Sequence, residues 1–279
     1  MSVISLNIVT AQPSGKGATA RFAAAALRNI LPPAIFLAAV ITLWALGSSF
    51  GFVPSYLLPS PGAIAWQFVA NPAVLLKHGS TTTIEALSGF VIGSLAGLVV
   101  ATVLCFSTTL RDAFYPYALI SRALPIIVFT PLVVVLLGRG LPPIIAIVSC
   151  SVYFPTFLGM MRGQGAADAD YHEMLHTLSA SRLERLWLVD FPIAMPYFFA
   201  ALKISASGAF ISALITEWIG SNVGLGYLLI VSSQYYKLPM LWAAIFLSAI
   251  LTLCLLGLVS LLEKSLGRFT SSPSEVGVR

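Results

Sequence analysis

Long stretches without a single charge constrain this chain more than any motif in it. Uncharged runs extend from Ala86 to Leu110, from Gly140 to Met161 and from Leu238 to Leu262. Each is long enough to cross a hydrocarbon layer of roughly 30 Å as a helix, which takes about 20 residues. Three further runs are nearly as apolar. Leu31 to Ser49 has no charge, Phe114 to Gly138 holds only Arg122 together with Pro125 and Pro131, and Pro192 to Gly220 holds only Lys203 and Glu217. Proline inside such a run is tolerated where neighbouring helices satisfy the freed backbone groups. The expectation is an all-α polytopic membrane protein with six transmembrane helices. Composition agrees: 58% of the 279 residues are hydrophobic, 9% are charged and the mean hydropathy is +0.94, which no water-soluble domain carries on its surface.

Lysine and arginine placement predicts the orientation. With the N-terminus inside, the cytoplasmic segments hold Lys16, Arg21, Arg28, Arg111, Arg162, Arg182, Arg185, Lys264, Arg268 and Arg279, against Lys77, Arg139 and Lys237 in the outer loops. Both termini are then cytoplasmic. The net charge of +5 follows from this bias and from attraction to anionic inner-leaflet lipid, so it gives no reason to invoke nucleic acid. The N-terminal region reads as a tail over 1–30 leading into an uncleaved first helix, not as a signal peptide. Cys105, Cys150 and Cys254 fall inside predicted spans without metal-ligand spacing and read as free, packed thiols. There is no Walker A or other Gly-rich phosphate loop before a helix, and no cofactor is called for.

Eight of the 25 charges lie between Arg162 and Asp190, in the longest predicted cytoplasmic connection. Asp170 followed by Glu173 resembles a helix-capping pair, and Tyr171, Met174, Leu175 and Leu178 recur at amphipathic helical spacing. Ser181 with Glu184 forms a second capping box, opening a segment with Leu183, Leu186 and Trp187 on one side. Two short helices leading to Pro192 are expected. The same loop contains His172-Glu-Met-Leu-His176. Histidines at i and i+4 around a glutamate are a zinc-protease pattern, because both share one helical face and the glutamate is placed to act as general base. Here the pattern follows a polar segment in a short helix, and third ligands are poor: His78, Glu85 and Glu217 are expected towards the opposite membrane face, leaving Glu184 or Asp190. A zinc metalloprotease is the alternative reading; an amphipathic connector lying on lipid and a self-sufficient secondary carrier are others. No convincing internal repeat supports the carrier.

The stretch ADADYHEMLHTLSASRLERLWLVDFPIAMPY resembles the cytoplasmic signature of permease subunits of binding-protein-dependent ABC importers, in which Glu-Ala-Ala is followed three residues later by Gly and then by Leu-Pro. Glu173 takes the glutamate position, LSASR over Leu178, Ser179, Ala180, Ser181 and Arg182 is similar to the family's LGASR, and Phe191-Pro192 takes the Leu-Pro position. TEWIG and SNVGLGYLL resemble two downstream family segments, and YLLPSPGAI its first outer loop. The closest branch is similar to the permeases for nitrate, sulfonate and taurine. The resemblance implies a type I ABC importer permease fold. It divides the chain into a tail (1–30), a first helix and outer loop (31–77), a permease core (78–263) with its coupling loop (162–191), and a cytoplasmic C-terminal tail (264–279).

It further implies that the chain is not itself an enzyme, and that it works in a bacterial inner membrane with a separate ATPase subunit, an extracytoplasmic solute-binding protein and a second permease copy. Glu173, Met174, Leu175, Leu178, Ser179, Ala180, Ser181, Arg182 and Pro192 would then couple to the ATPase. Met174 and Leu175 depart from the family's two alanines, and Ser179 from its glycine. Glu85 stands where anion-importing members often carry arginine.

Charged residues inside spans are costly and usually face a bundle interior or a watery cavity. Lys203, Glu217, Glu85 and Arg122 are therefore the pathway candidates. Lys203 and Glu217, roughly 21 Å apart along a helix, return to nearly the same face after about four turns. The bland reading for each is an internal ion pair or a head that snorkels to the interface.

Overall fold

The computed structural model describes residues 15–50, 54, 58–107, 109–111, 113–114, 116 and 126–266. The described regular elements are helical: α1 (Gly15–Ser49), α2 (Pro61–Ala70), α3 (Pro72–Cys105), a 3₁₀ turn (Ile126–Phe129), α4 (Thr130–Leu137), α5 (Leu141–Gln164), α6 (Ala169–Thr177), α7 (Arg182–Arg185), a π-helical turn (Leu186–Asp190), α8 (Phe191–Gly220), α9 (Leu225–Gln234) and α10 (Leu238–Ser265). Residues up to Ala63 and from Ile64 onward form two separately packed units.

In the first unit α1 contains Pro32 and Pro33 and begins well before the expected span, at Gly15. The Trp44 indole N–H donates to the Pro59 carbonyl at 3.1 Å. The LPSPGAI segment explains the start of α2: the Ser60 hydroxyl accepts from the Ala63 N–H at 3.2 Å, and Pro61 occupies the first helical position, where its missing N–H costs nothing.

Among the described residues five helices are long and apolar enough to cross a membrane, over Leu31–Ser48, Pro72–Cys105, Leu141–Gln164, Arg182–Gly220 and Leu238–Ser265. Ten of the 25 residues of the sixth expected span, Arg122 among them, lie outside the described residues; its described part includes the 3₁₀ turn and α4, with Pro131 in the first turn. The third helix starts earlier than its uncharged run, because Pro72 after Asn71 is an efficient helix start, and this draws Lys77 and His78 into the helix instead of a loop.

The core of the second unit is α3, α5 and α8, built on backbone proximity. Gly89, Gly93 and Gly97 form one stripe along α3 at four-residue spacing. A Cβ on Gly93 would collide with the Ser149 carbonyl, and one on Gly97 with the Thr156 hydroxyl. Gly159 and Gly163 do the same for α5 against Ala201 and Ala194 of α8. Small residues at such contacts are how helices associate in lipid, where apolar burial alone gives no preference for protein over acyl chain. The opposite side of α3 carries Val91, Leu95, Val99 and Val103, all more than half exposed. Apolar side chains facing outward alongside a core of Phe90, Ile144, Val148, Phe157 and Phe210 are the signature of a lipid-facing surface. The three cysteines are free, but Cys150 and Cys254 sit on exposed helix faces instead of packing inside.

Candidate functional site

Two regions collect the polar chemistry of the second unit: the loop between α5 and α8, and the turn where α9 begins.

In the loop, α6 opens at Asp168, in extended conformation, so the N-cap falls two residues before the expected Asp170; no side-chain cap bond forms there. The helix ends in a Schellman arrangement. Ser179 N–H donates to the His176 carbonyl and Ala180 N–H to the Leu175 carbonyl, each at 3.0 Å, with Ser179 at φ 54°. A serine thus takes up the left-handed conformation for which glycine is the usual residue. Leu175 is buried, whereas Tyr171, Met174 and Leu178 are 39%, 51% and 69% exposed. The predicted stripe is therefore split: one leucine anchors the helix and the others face outward. Glu173 and His176 are exposed as well.

The second capping box forms as expected: Ser181 N–H donates to Glu184 Oε2 at 2.7 Å and Glu184 N–H to Ser181 Oγ at 3.3 Å. The helix it opens is not a second separate one. α7 runs through the π turn into α8, with the Phe191 N–H bonded to the Leu186 carbonyl. Proline has no N–H and its ring crowds the carbonyl four residues back, so widening the backbone just ahead of Pro192 lets the helix continue.

Two contacts tie this segment to α3, and one ion pair lies within it. Arg182 Nη1 donates to the Phe106 carbonyl at the C-terminus of α3 at 3.3 Å. Asp190, only 2% exposed, pairs with Arg185 (Nε to Oδ2, 3.6 Å) and accepts from the Cys105 thiol at 3.9 Å. Among the described residues no three potential ligands converge on a metal site.

At the other end of α8, Glu217 is completely buried. Its carboxylate accepts from Thr82 Oγ1 of α3 at 2.6 Å and from the Gly226 N–H at 2.5 Å. The Leu225 N–H donates to Thr82 Oγ1 at 2.7 Å. His78 Nδ1 lies 3.0 Å from both the N–H and the carbonyl of Gly224, and its ring stacks on Tyr227 at 6.0 Å. The first N–H groups of α9 have no intrahelical partner, and side chains from two other helices supply acceptors for them. This arrangement explains the GLG sequence. Gly224 has φ 120° and a Cβ there would strike the Glu217 carboxylate; a Cβ on Gly226 would strike the Leu214 carbonyl.

Glu85, one turn beyond Thr82, is also completely buried and lies against Glu217, with which its carboxyl shares a hydrogen bond; no amide, hydroxyl or cationic donor reaches either of its oxygens. It contributes to the wall of a cavity of about 430 Å³ shared with Thr81, Arg139, Leu141, Ser221 and Asn222.

The structure thus brings Glu85 and Glu217 together and separates both from Lys203. Lys203 pairs with Glu263 of α10 at 2.5 Å. The structural partners Thr82, Asp190 and Glu263 do not stand out in the sequence as members of these pairs. The nine-residue spacing of Glu217 and Gly226 is the trace that the turn leaves there.

Comparison with known proteins places these features in context. A model of the family described as "binding-protein-dependent transport system inner membrane component" matches residues 89–268. A probable ABC transporter permease protein of Haemophilus influenzae is 30% identical over 227 residues, 81% of this chain and 93% of that protein. The riboflavin transport system permease protein of Chloroflexus aurantiacus is 26% identical, over 87% of this chain and 90% of its own length. Among solved structures, an amino acid ABC transporter with histidines superposes with a TM-score of 0.58 at 19% identity, covering 72% of this chain and 97% of that one.

Proposed function

We infer that this chain, which belongs to the family of binding-protein-dependent transport system inner membrane components, lines the solute pathway of an ABC importer and carries the coupling loop for its ATPase. It is a multi-pass inner-membrane permease subunit, not itself an enzyme, and its system includes an ATPase partner. No observation favours the zinc-protease alternative.

In our reading two permease copies enclose the pathway, a solute-binding protein delivers the solute from outside, and both termini are cytoplasmic. The permease core is 78–263. Glu173, Met174, Leu175, Leu178, Ser179, Ala180, Ser181, Arg182 and Pro192 form the coupling element. Within it Leu175 anchors, Ser179 ends α6, Arg182 holds the end of α3, and Pro192 sets the π turn. Of the pathway candidates Glu85 is favoured, because Lys203 and Glu217 already have close partners. The solute is a small polar organic molecule or anion of the nitrate, sulfonate, taurine or vitamin-precursor type.

The observation that carries this reading is the exposed face of Tyr171, Met174 and Leu178 on the amphipathic helix α6, which suits a groove in a partner. The test is ATP hydrolysis by the assembled transporter in proteoliposomes. Glu173→Lys is expected to leave insertion intact and to uncouple hydrolysis from uptake. Normal coupling in that variant, with normal assembly, removes Glu173 from the mechanism.

A further inference from the structure

We propose that the 430 Å³ cavity between Glu85 and Arg139 is a solute-recognition site that favours a molecule bearing an ammonium or N–H group over a bare anion of the same size. The proposal rests on the permease reading above and specifies the solute class.

The cavity has the size of a small-molecule site and joins three chain segments: Thr81, Ile84 and Glu85 of α3, Arg139 to Leu141 at the start of α5, and Ser221 to Val223 after α8. Its two ionisable side chains are differently engaged. Arg139 is held between two glycines with positive φ, Gly138 at 81° and Gly140 at 113°. The Gly140 N–H donates to the Gly220 carbonyl at 3.0 Å, and Arg139 Nη2 to the Ile219 carbonyl at 3.4 Å. One long hydrogen bond to a helix end leaves most of the five guanidinium donors for something else.

Glu85 is the complementary case. Its carboxyl is fully buried against that of Glu217, with which it shares a hydrogen bond, and no amide, hydroxyl or cationic donor reaches either of its oxygens, whereas buried polar groups usually satisfy most of their hydrogen-bonding capacity. Its neighbour Glu217 is already committed to Thr82 and Gly226. An anion entering from the outer side would meet this carboxyl pair through a medium that screens poorly, while a donor group on the solute would find unused acceptor capacity. Arg139 in the same wall suits an acidic group elsewhere on the solute.

The test compares taurine with ethanesulfonate, which has the same chain and sulfonate but lacks the ammonium. Binding of each radiolabelled probe is measured on the full chain in nanodiscs, without other subunits. Taurine is expected to bind at least about tenfold more tightly, as for a site built to hydrogen-bond a substrate group. Glu85→Gln should remove most of that preference, and Arg139→Gln should weaken both probes alike. Asn222→Lys, at an exposed position in the cavity wall, should shift the preference towards ethanesulfonate and keeps the test usable if Glu85→Gln does not fold. Equal binding of the two probes, binding of neither at about tenfold above the concentrations at which such sites fill, or a preference unchanged in both Glu85→Gln and Asn222→Lys overturns the proposal. The permease reading is read separately, by ATP-driven uptake in the assembled transporter, so either can fail alone.

Discussion

Thr82 and Glu217, 135 residues apart in the chain, share a hydrogen bond of 2.6 Å that joins α3 to the C-terminal end of α8. Because the Gly226 N–H uses the same carboxylate and the Leu225 N–H the same hydroxyl, these two side chains also fix where α9 starts. Glu217→Ala would leave buried donors without acceptors, at about 1–3 kcal/mol each. The expected result is a lower thermal midpoint in nanodiscs, with Glu217→Gln losing less than Glu217→Ala. Equal midpoints for wild type and Glu217→Ala would refute the joint.

Gly226 faces a backbone carbonyl and not a flexible side chain, so its neighbour cannot yield cheaply. Gly226→Ala should cost about 1–3 kcal/mol or prevent folding, as overpacking does. Gly62→Ala, in a helix with nothing within 4 Å of the added methyl, is the control and should be neutral or slightly stabilising. Comparable yields of folded protein from both variants would contradict this packing.

Ser179 occupies φ 54°, where an L side chain costs roughly 1–2 kcal/mol. Ser179→Gly is therefore expected to strengthen the end of α6, seen as slower amide exchange over Leu178 to Ser181. Ser179→Val should do the opposite. Faster exchange in the glycine variant would mean that the serine side chain contributes more than its strained backbone loses.

The outward face of α6 is tested by Met174→Asp together with Leu178→Asp. Both side chains are exposed, so the fold should change by less than about 0.5 kcal/mol. Co-purification of the ATPase subunit should fall at least several-fold. Retained assembly would assign this apolar face to lipid.

Orientation is checked with single cysteines at Asn222 and Ala180 in a background lacking Cys105, Cys150 and Cys254. The positive-inside skew predicts labelling of Asn222→Cys from outside intact cells and of Ala180→Cys only after permeabilisation. Equal access to both would overturn the topology.

Much of the fold is legible in the residues because lipid imposes simple rules. Uncharged runs locate the spans, and the Ser181–Glu184 box is readable since both of its partners lie within four residues. The joins are harder. Periodicity puts Lys203 and Glu217 on one helical face, but the partner of Lys203 depends on which helix lies alongside, and only the packing shows it to be Glu263. The glycine stripe on α3 hides in a run of small and apolar residues, where four-residue spacing means little until a second helix is seen to need the space. The π turn is equally opaque: Pro192 marks a boundary in the sequence, and only the widened backbone ahead of it turns that boundary into a continuation.

That continuation makes Arg182 to Gly220 a single lever arm. Thirty-nine residues of helix extend about 58 Å, so a tilt of about 5° pivoted at the loop displaces the far end by about 5 Å. The hydrogen bond between Thr82 and Glu217 is 2.6 Å long and sits at that far end, where leverage is greatest. A tilt of a few degrees at the loop end is thus geared up to a displacement longer than that bond.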